Sequence, residues 1–193
     1  MARIRAFDED DVLERAMQVF WKRGYQAATL ADLLAAMGLS KSSFYETFGT
    51  KRDLLLTALR RYAASGMSGL LTPLFEPEAA RPEIEETLAR MVRHALSAEG
   101  RRGCLVNNCL GEVAPHDAVV LGATREVREQ LEAVLAAAVA RGQKKGEITR
   151  KESARSIARF LLNTMSGINL AAKGRPGKAQ LRDIVRLALR ALD

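Results

Sequence analysis

The stretch RRGCLVNNCLGEVAPHD, residues 101–117, holds both cysteines of the chain, Cys104 and Cys109, and with them its best nucleophiles. Arg101 and Arg102 precede Cys104, and neighbouring guanidinium groups lower a thiol's pKa and favour the thiolate. This predicts a thiol able to sense oxidants or electrophiles, set against the plain reading of a buried cysteine. A bridge between the two is not expected. On one helix the i, i+5 spacing holds the Cα atoms roughly 8–9 Å apart, beyond the ~7 Å reach of a disulfide. Cys109, Glu112 and His116 share a helical face at i, i+3, i+7, as metal ligands would. Pro115 breaks that helix, however, and no fourth ligand stands nearby. His94 and His116 are the only histidines, and neither sits in a nucleophile motif. The chain carries no P-loop, no G-x-G-x-x-G and no HExxH. It therefore reads as a non-enzyme, with no catalytic residue, no metal and no cofactor.

A second stretch points to recognition rather than covalent chemistry. LSKSSFYETFGTK, Leu39 to Lys51, sets hydroxyl groups and lysines among three aromatics. On a helix, Phe44 and Phe48 (i, i+4) turn inward together with Leu39. Lys41, Ser42, Ser43, Tyr45 and Thr47 then face outward. Lysine supplies charge, short hydroxyls let a helix approach closely, and a tyrosine hydroxyl can reach a phosphate. Lys51 opens the following helix on the same side. A solvated helical surface also carries Ser and Thr, so the face needs the elements around it to acquire meaning.

Those elements are legible. Asp8 to Asp11 put carboxylates at the start of a first helix that runs to Arg23, where Gly24 stops it. Thr29 is a good N-cap for a second helix bearing Leu30, Leu33, Leu34 and Met37. Gly38 ends it, Ser40 caps a third helix reaching Phe48, and Thr50 caps a fourth from Lys51 to about Leu70. Two helices joined by Gly38-Leu39-Ser40 form a helix-turn-helix, which lays its second helix in the DNA major groove. Arg3 and Arg5 suit an N-terminal arm for an adjacent minor groove.

The run GYQAATLADLLAAMGLSKSSFYETFGTKRDLL resembles the N-terminal domain of the TetR/AcrR bacterial transcriptional repressors over about residues 8–60. The resemblance implies that Lys41, Ser42, Ser43, Tyr45, Thr47 and Lys51 line an operator contact and that Thr29 bonds a phosphate. Ala31 stands where many members carry a basic or polar side chain, and Glu46 must turn away from phosphates or accept from a cytosine amine. It also implies a C-terminal domain that dimerises through its last two helices and holds a small-molecule pocket.

The remainder fits an all-α chain of about nine helices, with a DNA-binding domain over 1–50 and an effector-binding and dimerisation domain over 51–193. TPLFEPEAARP holds three of the five prolines and reads as a connection. A helix over Pro82–Ser97 follows. A short one is interrupted at Gly111 and Pro115. Long ones span Asp117–Lys144, Lys151–Lys173 and Lys178–Leu192. The helix after Lys151 is rich in small residues, which permits close helix approach. Together with the last helix it suggests a two-fold four-helix bundle. Phe160, Ser166, Leu181, Ile184, Val185 and Ala188 are the expected dimerisation residues. A dimer also suits DNA, because half-sites lie roughly a helical turn (~34 Å) apart. The expected pocket residues are Cys104, Asn107, Asn108, Glu112, His116, Phe160 and Met165, with Asn163 and Asn169 completing a wall. Apolar walls with a few polar groups suit a small amphiphile. Gly103-Cys104-Leu105-Val106-Asn107 also resembles a GCL-x-N pattern of one branch of the family. Cap-like bonding at helix ends is the other reading of the two asparagines.

Bulk properties bound the rest. The formal charge is +7, which suggests an anionic partner. Residues 1–60 hold nine basic and eight acidic residues, so the excess lies further on and does not by itself locate a DNA site. No window approaches the ~18 apolar residues of a membrane span. The charged N-terminus MARIRAFDEDD has no signal-peptide core, so a cytoplasmic protein is expected. The expected function is a ligand-responsive repressor binding palindromic DNA as a dimer. A thiol-based sensor acting through Cys104 is the alternative.

Overall fold

The computed structural model describes residues 8–65 and 69–193. Arg3 and Arg5 lie outside the described residues. Among the described residues there are nine α-helices, four short 3-10 turns and no strand. The helices are α1 (Glu9–Arg23), α2 (Leu30–Met37), α3 (Lys41–Phe48), α4 (Lys51–Ala64), α5 (Arg81–Ala95), α6 (Leu105–Glu112), α7 (Ala118–Lys145), α8 (Ala154–Lys173) and α9 (Lys178–Leu189).

Local chemistry sets the first four helices. Asp8 caps α1, accepting from the Asp10 amide at 2.9 Å. Thr29 and Asp32 form a reciprocal capping box at α2, and Thr50 and Asp53 repeat it at α4. Such caps contribute about 1 kcal/mol each. Gly38 ends α2 at φ 68°, a left-handed turn that a side chain would strain. Ser40 then caps α3, and the short turn forces α2 and α3 to cross. α4 ends at Ala64 rather than near Leu70, where the Ser65 hydroxyl donates to the Tyr62 carbonyl at 2.8 Å.

Two apolar cores share the molecule. The first gathers Phe20, Trp21, Leu33, Met37, Phe44, Leu54 and Leu55 from α1–α4. It continues into Leu105, Val106, Cys109 and Val113 on and after α6, and into Val120 of α7. The core therefore does not stop at residue 50, because α4 and α6 fill the same interior as α1–α3. The second core is built from α5, α7, α8 and α9, around Ile84, Leu88, Leu135, Leu161, Ile168 and Leu181.

Several boundaries differ from the sequence expectation. α6 passes through Gly111, which lies exposed on its outer side, and closes at Glu112. Pro115, lacking an N–H, turns the following residues into a 3-10 turn, Ala114–His116. α8 starts at Ala154, not Lys151, because the Ser153 hydroxyl accepts from the Ser156 amide and caps it. α9 ends at Leu189 and tightens into a 3-10 turn, Arg190–Leu192. Among the described residues no helix is long and apolar enough to cross a membrane.

Candidate functional site

The outer face of α3 is assembled by one anchor. Phe44 is wholly buried, and its neighbour Tyr45 is 49% exposed with its ring edge-on to Phe44 at 5.3 Å. Phe48 is half-buried against the same core, less completely than its spacing predicts, because α3 ends there. Lys41, Ser42, Tyr45 and Glu46 stand in solvent, while Ser43 and Thr47 are half-buried. The Ser40 hydroxyl lies 3.0 Å from those of both Ser42 and Ser43, so three hydroxyls share one hydrogen-bonded cluster at the helix start. Thr29 is exposed, but its hydroxyl proton goes to Asp32 at 2.7 Å, and Asp32 also pairs with Arg23 at 2.6 Å.

Lys51 is half-buried rather than free. Its ammonium sits 4.5 Å above the centre of the Tyr25 ring, and burial lowers its pKa while Glu112 works against that shift. Tyr25 in turn stacks on Phe20 at 6.0 Å. The α1–α2 loop is thereby tied to the start of α4.

Polar contacts from three elements fasten this unit to the rest of the chain, besides that of Arg102 with Gln18. The Trp21 indole N–H donates to the Gly103 carbonyl at 2.9 Å. The Glu112 carboxylate accepts from the backbone amides of Tyr25 and Gln26 at 3.0 and 2.8 Å. Arg52 pairs with Asp117 at 3.5 Å, and Asp117 also caps α7. Glu112 was expected in the pocket. It faces the α1–α2 loop instead, because it lies at the C-terminal end of α6, away from the chamber.

That chamber lies between the two cores. It is lined by Trp21, Tyr62, Met91, His94, Cys104, Val106, Asn107, Val127, Arg128, Leu131, Leu162, Met165, Ser166 and Asn169, with Leu70, Leu71 and Gly103. It is a narrow slot with a cavity volume of about 40 Å³. Cys104, Asn107, Met165 and Asn169 stand in the lining. Asn108 does not. Its amide donates to the Arg102 carbonyl at 2.9 Å, and its oxygen accepts from Lys173 at 2.8 Å, so it braces α6 against α8. His116 is exposed on the 3-10 turn, and Phe160 and Asn163 face outward from α8. Trp21, Tyr62, His94 and Arg128 escaped the sequence reading. They come from four different helices, and no local pattern links them.

The surroundings of Cys104 also differ from expectation. Arg101 is exposed. Arg102 turns away to stack over the Trp21 ring at 4.1 Å and to donate to the Gln18 side chain. Burial pushes the Cys104 thiol up, against lowering by the Asn107 amide, Tyr62, the Val106 amide and Arg128. Burial, with Glu112 and Cys104 adding to it, pushes Cys109 up to about 12. No disulfide joins them. Among the described residues no group of three His, Cys, Asp or Glu side chains is placed to hold a metal ion.

The expected dimerisation residues divide into two sets. Leu181 and Ala188 are already buried inside the single chain, and Ser166 lines the chamber. Ile184 and Val185 are half-buried, and Phe160 is 48% exposed. Leu170 of α8 and Leu187 of α9 are the further large apolar groups left in solvent on these two helices.

Comparison with known proteins matches both halves. The family signature described as "Bacterial regulatory proteins, tetR family" fits residues 12–58. That described as "Tetracyclin repressor-like, C-terminal domain" fits residues 80–188. An uncharacterized HTH-type transcriptional regulator of Bacillus subtilis (strain 168), YezE, is 30% identical over 194 residues and 100% of both chains. The HTH-type transcriptional repressor ComR of Escherichia coli (strain K12) is 27% identical, over 97% of this chain and 90% of its own. A cysteine mutant of the TetR family transcriptional regulator CifR, solved in complex with 26-base-pair double-strand operator DNA, is 33% identical. It superposes with a TM-score of 0.86 over 99% of this chain and 100% of that one. With both halves matched over nearly their whole length, the chain belongs to the TetR family of bacterial transcriptional regulators.

Proposed function

We propose that this protein is a transcriptional repressor that binds a palindromic operator as a homodimer and lets go when a small molecule fills the chamber. The observation that carries the reading is the α3 face: Lys41, Ser42 and Tyr45 stand in solvent directly over the buried anchor Phe44. A helix pinned from behind presents a fixed polar face to a groove. Lys51, Ser43, Thr47 and Thr29 extend that face, with the hydroxyls as phosphate or base-edge partners. The operator complex of the relative CifR supports the same mode of binding. Phe160, Leu170 and Leu187, left in solvent on α8 and α9, support a two-fold bundle that would cover them. The half-buried Ile184 and Val185 border that surface on α9.

α6 connects the chamber to the α1–α2 loop. Asn107 lines the chamber, and Glu112 at the other end of α6 holds the loop that carries Tyr25. An effector acts only by its preference for one conformation over another. A molecule that shifts α6 would alter the grip of Glu112 and so the pose of α3. A thiol-sensing alternative through Cys104 keeps one observation in its favour, that its side chain lines the chamber an electrophile would enter.

The test is binding of purified protein to genomic fragments across a salt series, with and without a thiol oxidant. One palindromic fragment bound tightly, more weakly as salt rises, supports the operator reading. Absence of any preferred fragment sinks it. Release by oxidant that Cys104→Ser abolishes moves control to the thiol; indifference to oxidant leaves it with the ligand.

A further inference from the structure

We infer that the chamber takes a small monoanion with a thin or flat apolar body, of the class of aliphatic or aromatic carboxylic acids, and that Arg128 reads its charge. This rests on the chamber being the effector site. Arg128, on α7, donates from Nη1 to the Asn107 side-chain oxygen at 3.3 Å and to the Ser166 hydroxyl at 3.0 Å. Both acceptors are neutral. Among the described residues no carboxylate pairs with this guanidinium.

Arg128 is half-buried and the chamber lining contains no Asp or Glu. Arg128 also borders a surface groove with Glu129 and Glu132, but its two hydrogen bonds both go to neutral acceptors. Guanidinium has five N–H donors in a planar fork, and here both contacts use one nitrogen. The unused edge matches a carboxylate in two-point geometry. The other polar groups favour one negative charge rather than two. His94, also in the lining, has its pKa lowered by burial and then by Arg102, with Glu99 opposing, which disfavours a second cation there. Trp21, Met91, Leu131 and Leu162 supply apolar walls for the body, and the narrowness of the slot excludes a bulky one.

The anion would compete with Asn107 for Arg128. Asn107 and Glu112 lie on the same short helix, so displacement of one disturbs the grip of the other on the Tyr25–Gln26 amides. This links charge recognition in the chamber to the DNA face through this chain's own residues.

The test is isothermal titration calorimetry of the full chain with benzoate and hexanoate, and with benzamide and hexanamide as their neutral counterparts. Operator anisotropy is followed in parallel. At least one acid is expected to bind about tenfold or more tightly than its amide, more weakly at raised salt. Arg128→Met should erase that preference and Arg128→Lys keep part of it. Equal binding of acid and amide, a preference that survives in Arg128→Met, or no binding by either acid overturns the inference. If Arg128→Met does not fold, Arg128→Lys and the wild-type acid–amide ratio still decide. An amide that releases operator would retain the effector site and sink the anion. An acid bound through Arg128 that leaves the operator complex intact would do the reverse.

Discussion

Glu112 holds Tyr25 by its backbone: Oε2 accepts the Tyr25 amide at 3.0 Å, while Oε1 accepts the next amide, that of Gln26, at 2.8 Å. A carboxylate at the end of α6 thus closes the loop between α1 and α2. Gly24 makes the approach possible. Its φ is +82°, and a Cβ there would sit 2.8 Å from Glu112 Oε2. Glu112→Ala should cost about 1.5–3 kcal/mol of stability, the usual range for hydrogen bonds to a charged group. It should also weaken operator binding, since Lys51 rests on Tyr25. Glu112→Gln should fall between. Gly24→Ala should destabilise by about 1–3 kcal/mol through backbone strain, with the crowding of Glu112 added to it. Urea melts with parallel operator titrations measure both. Full stability in Glu112→Ala would reduce the contact to decoration.

On the DNA face, Lys51 and Tyr45 separate two roles. Lys51→Ala should weaken operator affinity and lower the salt slope by about 0.9, the value of one phosphate contact. Tyr45→Phe should weaken binding with little change of slope, since it removes a hydroxyl and no charge. A Lys51→Ala variant with the wild-type slope would leave the lysine as a brace on the Tyr25 ring, 4.5 Å away, and nothing more.

The two thiols should be sluggish. Burial raises both, and with Cys109 near 12 the thiolate is about one part in ten thousand at pH 8. Alkylation by iodoacetamide at that pH should be much slower in the folded protein than in urea, for both cysteines. Rapid labelling of Cys104 in the folded chain, read by mass spectrometry, would contradict this and favour the thiol-sensing alternative.

His94 gives a pH dependence with a definite sign. Its folded pKa lies below the ordinary 6.5, first through burial and then through Arg102, with Glu99 opposing. Below 6.5 the unfolded chain therefore binds more protons at this site, and stability falls as pH drops. Above 6.5 both states are neutral and the effect vanishes. His94→Gln should flatten this part of the melting-temperature profile against wild type. Parallel profiles for the two proteins would remove His94 as its source.

The first four helices were readable because their signals are local. Asp8, Thr29, Ser40 and Thr50 each cap within three residues of themselves, and Gly24, Gly38 and Gly49 stop the chain where it must turn. The exposed face of α3 followed from the same periodicity, since burying Phe44 fixes where Lys41, Ser42 and Tyr45 point. The chamber was legible only in part. Cys104, Asn107 and Met165 reach it, but Glu112, Asn108 and His116, close to Cys104 in sequence, do not. The rotation of α6 sends Glu112 and Asn108 to different neighbours, and the break at Pro115 leaves His116 exposed. Trp21, Tyr62, His94 and Arg128 meet there from α1, α4, α5 and α7, an encounter that depends on how helices pack and has no signature in sequence spacing. Burial, likewise a property of the packed state, turned Cys104 from a thiol favoured by Arg101 and Arg102 into one held protonated. Local hydrogen bonds and side-chain period determined which helices form. Tertiary packing decided which polar groups meet, because only there does the loss of water reset what each group must bind.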